Sequence, residues 1–253
     1  MTFAAPADSY DRYMGRYSRL LAPLLAAFGV VTPGMRVLDV GCGPGALTEH
    51  LADRVGAEQV AAVDPSESFA QACAARVPGA DVRAAGGERL PWEDDAFDAV
   101  LSQLVVNFMD DPPQGVSEMR RVAKPSGVVA ACVWDHERME MLRTFWDSAL
   151  VLDSDAPTEA KRMRFGTPDE LHELWTEAGL ERVVTDSLEV TEEYESFDDY
   201  WEPFTAGVGP GGSYCVSLDD DARQALRGEC RRRLGDPPGA FALRARAWAV
   251  RGT

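Results

Sequence analysis

Short apolar runs alternate with amphipathic stretches of helical length through the first half of the chain. Five of the runs predict strands, at 35–40, 59–64, 81–85, 97–103 and 127–134. Three intervening stretches predict helices, at 45–55, 66–76 and 112–123. This alternation is typical of βα units that build a mostly parallel sheet. We therefore expect an α/β fold with helices on both faces of the sheet.

The two flanking regions follow a different pattern. Residues 9–28 predict one or two helices interrupted at Pro23. Further predicted elements are helices at 138–151, 157–164 and 168–179, a strand from 180 to about 190, and a last strand at 241–250 that alternates in period two. No linker marks a second domain, so we expect the late segments to form a cap on one α/β domain.

Composition is typical of globular proteins: of 253 residues, 45% are hydrophobic and 26% are charged. The chain has 25 basic and 42 acidic residues, which gives a formal net charge of −17. A field of that sign repels phosphate backbones and anionic lipids, so we expect no nucleic-acid and no membrane partner, whereas cationic or neutral ligands fit better. No apolar stretch approaches the roughly 18 to 20 residues that span a bilayer, and the N-terminus lacks a basic leader region, which predicts a cytoplasmic protein.

Cysteine and histidine spacing argues against metal or disulfide chemistry. The five cysteines are odd in number and never form a Cys-x-x-Cys pair, so we expect reduced thiols. The three histidines show no His-x-x-x-His spacing, and we expect no metal site.

A glycine-rich turn follows the first predicted strand, in the run Val37-Leu38-Asp39-Val40-Gly41-Cys42-Gly43-Pro44-Gly45. Three glycines within five residues allow a tight turn and a close approach of ligand to backbone. The amides at the start of the next helix can then meet a polar or anionic group. The second predicted strand ends in Asp64, which is suitably placed to accept hydrogen bonds from both hydroxyls of a ribose. Together these features indicate a cofactor that contains adenosine.

The glycines alone do not identify that cofactor, because Gly41-x-Gly43-x-x-Ala46 also satisfies the loose pattern of dinucleotide sites. Asp39 separates the two interpretations. A carboxylate at this turn would repel a doubly anionic pyrophosphate and favour a ligand that bears an ammonium and a sulfonium. The chain also lacks a Tyr-x-x-x-Lys pair for hydride chemistry. A nicotinamide-dependent oxidoreductase is therefore the less favoured alternative.

The run from Val37 to Gly45, together with Asp64, resembles the class I S-adenosylmethionine-dependent methyltransferases, notably the ubiquinone/menaquinone-biosynthesis-like (type 11) group. The stretches 86–92, 97–100 and 121–127 are similar to that group's segments before its fourth and fifth strands. The resemblance implies a Rossmann-like, seven-stranded, mostly parallel sheet with an antiparallel last strand. It also implies S-adenosylmethionine as methyl donor and S-adenosylhomocysteine as product.

We divide the expected single domain into an N-terminal helical lid (1–30), a donor-binding core (31–134), cap insertions with the sixth strand (135–238) and the final strand (239–253). By the resemblance, the methionine part of the donor would lie over the glycine turn and the adenine beside Gly86 and Gly87. Gly86 departs from the group, which usually has an aspartate there, so backbone atoms or a nearby side chain must substitute. The residues expected at the donor are Arg16, Asp39, Gly41, Gly43, Gly45, Asp64, Pro65, Gly86, Gly87 and Gln103.

A sulfonium methyl is already activated, so the protein's main task would be to hold acceptor, methyl carbon and sulfur in line and to exclude water. A base is needed only if the acceptor must lose a proton. His136 is the best candidate, because it follows the fifth predicted strand and stands next to an acid, Asp135. The aromatic residues of the cap suit a small apolar or aromatic acceptor. The alternative from another class is a donor-binding protein without methyl transfer.

Overall fold

The computed structural model describes residues 7–159 and 164–253. Its strands are β1 (Val37–Val40), β2 (Val60–Asp64), β3 (Asp81–Ala84), β4 (Phe97–Gln103), β5 (Ala123–Trp134), β6 (Val184–Tyr194) and β7 (Phe241–Gly252). They form one seven-stranded sheet in the order β3-β2-β1-β4-β5-β7-β6. Strands β1 to β5 pair in parallel, whereas β7 runs antiparallel to both β5 and β6. The predicted Rossmann-like sheet with an antiparallel last strand is confirmed.

The helices are α1 (Ala7–Tyr10), α2 (Arg16–Phe28), α3 (Ala46–Val55), α4 (Glu67–Arg76), α5 (Pro112–Val122), α6 (Glu140–Leu152), α7 (Pro168–Glu177), α8 (Phe197–Thr205), α9 (Gly209–Ser217) and α10 (Asp220–Arg233). A π-helical turn, Asp11–Gly15, joins α1 to α2, and short 3-10 helices cover Ala57–Gln59 and Val106–Phe108. None of the helices within the described ranges is both long and apolar enough to cross a bilayer.

Two hydrophobic cores lie on the two faces of the sheet. Along β4, Ala99 and Leu101 belong to one core and Val100 to the other. A strand covered on both faces needs apolar residues at consecutive positions, which explains why the parallel strands are continuous apolar runs. The first core also takes in residues of the cap, such as Phe145 and Phe204, whose rings stack 4.3 Å apart. Cap and sheet therefore share one core.

Several element boundaries differ from the prediction. The break expected at Pro23 is absent: α2 continues through it, and its buried face, which includes Leu21 and Leu25, packs on the core. The irregularity lies earlier, in the π-helical turn. Of the helix predicted at 157–164, residues 160–163 lie outside the described residues, as do residues 1–6 of the lid.

Two strands begin at unexpected positions. The strand predicted from residue 180 begins at Val184, because Arg182 adopts a positive φ of 48° and turns the chain first. Strand β5 begins at Ala123, which pairs with Phe97, so the turn predicted before residue 127 is an irregularity within the strand. Neither shift alters the strand order.

Candidate functional site

A cavity of about 220 Å³ lies at the carboxyl ends of the central strands. Its walls include Gly41 after β1, Asp64 at the end of β2, Leu104 after β4 and Trp134 at the end of β5. Strand order reverses between β1 and β4, and open α/β sheets bind ligands at such a switch point. The topology therefore places the predicted site at the expected edge of the sheet.

The three glycines of the turn have different tasks. All adopt positive φ, at 76° for Gly41, 52° for Gly43 and 99° for Gly45, a region that side chains with a Cβ rarely enter. A Cβ on Gly41 would lie 2.5 Å from Val105 Cγ1, and one on Gly45 would lie 3.0 Å from Cys73 Sγ. A Cβ on Gly43 would meet no atom within 4 Å. Gly41 and Gly43 line the cavity, whereas Gly45 permits close packing against α4.

Asp64 presents a carboxylate to the cavity from the end of β2. Its Oδ2 accepts the Gly43 amide at 2.9 Å, and its Oδ1 accepts the Ser66 amide at 2.8 Å. Burial raises the pKa of Asp64, and the two amide hydrogen bonds oppose that shift. Each carboxylate oxygen has a second lone pair, so the fixed side chain can still accept hydrogen bonds from a ligand.

Asp39 lies within β1 below the turn, 1% exposed, and it does not line the cavity. Its Oδ2 accepts the Thr48 hydroxyl at 2.7 Å, whereas its Oδ1 has no hydrogen-bond partner among the described residues. Burial raises the pKa of Asp39 to about 7, against the opposing effect of the Thr48 hydroxyl. Any effect of Asp39 on a ligand in the cavity is therefore electrostatic, through the turn.

Three other predicted donor residues lie near one another, on the loops after β2 and β3. Pro65 and Gly87 line the cavity, but Gly86 does not. Sequence reasoning missed Glu88, which lines the cavity and accepts the Asp110 amide at 3.0 Å. Glu88 is thus a carboxylate two positions from the glycine at which the resembling group usually has an aspartate.

Arg16 and Gln103 do not line the cavity. Arg16 Nε donates to Glu192 at 2.5 Å, and Arg16 Nη1 donates to Asp199 at 3.0 Å, so its guanidinium ties α2 to β6 and α8. Gln103 Nε2 donates to the Ser18 carbonyl oxygen at 3.0 Å and ties β4 to α2. Both side chains fasten the lid helix in this structure, away from the cavity.

His136 lines the cavity just beyond β5. Its Nε2 is buried without a hydrogen-bond partner in the described chain. Burial lowers the pKa of His136, and the smaller influence of Asp135 opposes it. Asp135 itself accepts Arg246 Nε at 2.8 Å. His136 is therefore a neutral imidazole at neutral pH, with a ring nitrogen available to a ligand.

The lid and the cap supply further walls that sequence reasoning did not assign. The π-helical turn brings Tyr13 and Met14 to the cavity, a use of π-helical irregularity that is common at functional sites. Glu159, 5% exposed, lines it from the cap together with Pro210. Glu159 follows no motif, and only its burial at the cavity in the folded chain draws attention to it.

Comparison with known proteins gives a family. The family described as "Methyltransferase domain" matches residues 38–131. A malonyl-[acyl-carrier protein] O-methyltransferase of Geobacter sulfurreducens is 31% identical over 193 residues, 74% of this chain and 70% of that protein. A demethylmenaquinone methyltransferase of Renibacterium salmoninarum is 33% identical over 138 residues, 54% of this chain and 57% of that protein. The chain spans less than two thirds of the length of several such curated relatives.

A solved structure shares the fold. It is described as a methyltransferase from an antibiotic biosynthesis pathway of Anabaena variabilis and aligns with a TM-score of 0.63 at 16% identity. The alignment covers 92% of this chain and 96% of that one. At that identity the likeness concerns the fold alone.

Proposed function

Since the chain belongs to the class I S-adenosylmethionine-dependent methyltransferases, we propose that it transfers the methyl group of S-adenosylmethionine to a small-molecule acceptor by in-line displacement. The observation that carries this proposal is the Asp64 carboxylate, which the Gly43 amide holds in the cavity wall beside the point where the strand order reverses between β1 and β4. A carboxylate fixed in this way can accept hydrogen bonds from both ribose hydroxyls.

Two further observations support the fit of this donor. Gly43 faces open space where any Cβ would stand, so backbone and ligand can come close. When ionised, Asp39 places negative charge beneath the turn, and a cationic ligand favours that ionised form whereas a pyrophosphate opposes it. Pro65, Gly87 and Glu88 lie along the same cavity and would complete the nucleoside end.

When bound, S-adenosylmethionine supplies an activated methyl on a sulfonium. The chain's own residues then have to position the acceptor and exclude water. Tyr13, Met14, Trp134 and Leu142 line the cavity and would pack on an apolar or aromatic acceptor. His136 would accept a proton at Nε2 from an acceptor that has to lose one, since its imidazole is neutral at neutral pH.

Titration calorimetry with S-adenosylhomocysteine and with NADH tests the donor assignment. Asp64→Ala should weaken S-adenosylhomocysteine binding by roughly 1.5 to 3 kcal/mol, through loss of charge-assisted hydrogen bonds. Asp221→Ala, an exposed position on α10, is the matched control and should bind normally. An unchanged affinity in Asp64→Ala would remove this residue from the site, and binding of NADH instead of S-adenosylhomocysteine would refute the proposed donor.

Single-turnover methyl transfer to a panel of small metabolites separates an enzyme from a donor-binding protein. With a working acceptor, His136→Ala should slow the transfer and leave the affinity for S-adenosylhomocysteine intact, because its role is in proton removal. If His136→Ala transfers the methyl group at the normal rate across the pH range, His136 is not a base and the chain acts by positioning the acceptor.

A further inference from the structure

Lid and cap meet in one corner of the cavity, which we call the Glu159 corner and define by Tyr13, Trp146, Glu159 and Gly211. Tyr13 and Glu159 line the cavity. A Cβ on Gly211 would lie 3.3 Å from Tyr13 Oη, and the Gly211 amide and the Trp146 indole both act on the Glu159 carboxylate. Four polar groups from four segments of the chain therefore converge on this corner.

These polar groups satisfy one another only in part. Tyr13 Oη and Trp146 Nε1 are buried and make no hydrogen bond within the described chain. Glu159 is 5% exposed, and burial raises its pKa to about 7, with smaller opposing effects from Trp146 and the Gly211 amide. No cation of the described chain is among the causes of that shift. Unsatisfied polar groups inside a protein are costly, so this corner is suited to a polar ligand group.

The charges around the cavity indicate the sign of that group. Asp64, Glu88, Asp110 and Glu159 line it, and none of its described lining residues is a lysine or an arginine. The imidazole of His136 is neutral at neutral pH, since burial lowers its pKa. A ligand carboxylate would meet repulsion here, whereas an ammonium would be attracted. Aromatic faces in the wall add to the attraction for a cation.

We propose that the Glu159 corner binds the ammonium of an acceptor that carries a basic amine on an apolar or aromatic body. Glu159 accepts the charged N–H groups, the hydroxyl of Tyr13 provides another acceptor, and the ring of Trp134 packs on the apolar part. This proposal rests on the proposed function in one respect: the amine is taken to be the methyl acceptor.

Binding of the amine should release a proton from Glu159. The titratable groups that line the same cavity are Tyr10, Tyr13, Asp64, Glu88, Asp110 and His136. An ammonium beside Glu159 favours its ionised form, so the Glu159 pKa falls on binding. With a starting pKa of about 7, close to half a proton per site should be released at pH 7. Affinity should therefore rise as pH increases through about 7.

Three probes with the same aromatic body test the assignment: phenethylamine, 2-phenylethanol and 3-phenylpropionate. Each is titrated calorimetrically into the full chain, with and without S-adenosylhomocysteine, in two buffers of different ionisation enthalpy. Phenethylamine should bind about tenfold or more tightly than 2-phenylethanol, the range of a charge-assisted hydrogen bond. Glu159→Gln should remove that advantage and the proton release, whereas Glu173→Gln, an exposed position on α7, should keep both.

Lys161 and Arg162 follow Glu159 in the sequence and lie outside the described residues, so a K161A/R162A variant is included. Tighter binding of 3-phenylpropionate than of phenethylamine, lost in K161A/R162A, would overturn the proposal and assign an anionic acceptor. Equal binding of phenethylamine by wild type and Glu159→Gln would overturn it as well. Because the titrations without S-adenosylhomocysteine need no donor, amine binding and donor binding can fail separately.

Discussion

Asp39 of the sheet and Glu159 of the cap are buried carboxyl groups near the cavity, and the two are held differently. Asp39 lies in β1, and the Thr48 hydroxyl occupies one of its oxygens. Glu159 lies in the cap, lines the cavity directly, and is surrounded by groups from the lid and from α6 and α9. Burial raises the pKa of both to about 7. The first is a carboxyl group fixed under a backbone turn, and the second is open to a ligand.

That difference separates two tasks. The structure around Asp39 is set by the backbone of one strand–turn–helix unit. Enzymes with different acceptors can have the same unit. The Glu159 corner depends on contacts between lid and cap, which can change without altering the donor turn. We therefore expect donor choice to depend on the sheet and acceptor choice to depend on the cap.

Asp39→Asn provides the largest expected effect. A carboxyl group with a folded-state pKa near 7 holds its proton where the unfolded chain has lost it, so stability falls as pH rises from about 4 to about 7. Over that pH range the ionisation of Asp39 alone should lower the free energy of unfolding of the wild type by on the order of 3 to 4 kcal/mol. Urea unfolding at several pH values should show a flatter pH profile for Asp39→Asn.

Glu159→Gln sharpens the comparison in the same experiment. It should flatten the profile too, by slightly less, because glutamate starts from a higher ordinary pKa. Only the Glu159→Gln profile should differ from wild type in its response to phenethylamine. If the pH profiles of the wild type and both variants superimpose, folding does not raise the pKa of either carboxyl group.

Two glycine substitutions probe the turn beside Asp39. Gly41→Ala should cost about 2 to 3 kcal/mol of unfolding free energy, since its Cβ would lie 2.5 Å from Val105 at a φ of 76°. Gly43→Ala should cost about 1 kcal/mol, the strain of a positive φ without a clash. Both should weaken S-adenosylhomocysteine binding.

Gly34→Ala is the control for those two. Gly34 has a φ of 89° with no atom within 4 Å of a Cβ, and it does not line the cavity. It should lose stability by about as much as Gly43→Ala and bind S-adenosylhomocysteine normally. Equal binding by Gly43→Ala and Gly34→Ala would argue that the ligand does not approach the turn.

The sheet could be predicted from sequence because its information is local. Strand β4 was predicted at its observed bounds, 97–103, since four of its first five residues are apolar. The turn at Gly41 and the position of Asp64 at a strand end were also predicted from short stretches of sequence, and both residues line the cavity. Helix α7 likewise begins at the predicted Pro168, where Thr167 and Glu170 form a capping box.

The cap could not be predicted in the same way, because its contacts join distant parts of the chain. Glu159 is significant only because α6, α9 and the lid surround it. Glu88 was missed because the resemblance directed attention to Gly86. Arg16 was expected at the donor as a residue of the predicted lid, but partners 176 and 183 residues away decide where its guanidinium lies.

Arg16→Ala should have the smallest effect on stability, and it tests whether Arg16 is held by Glu192 and Asp199 instead of binding the donor. Its side chain is 17% exposed and pairs with Glu192 and Asp199, so its removal should cost about 1 kcal/mol of stability. Arg19→Ala, 47% exposed and only loosely paired with Asp11, should cost less. Affinity for S-adenosylhomocysteine should be unchanged in both, since Arg16 is held away from the cavity. A marked loss of that affinity in Arg16→Ala, with stability intact, would mean that the guanidinium leaves its carboxylates to bind the donor, and that the lid takes part in donor choice after all.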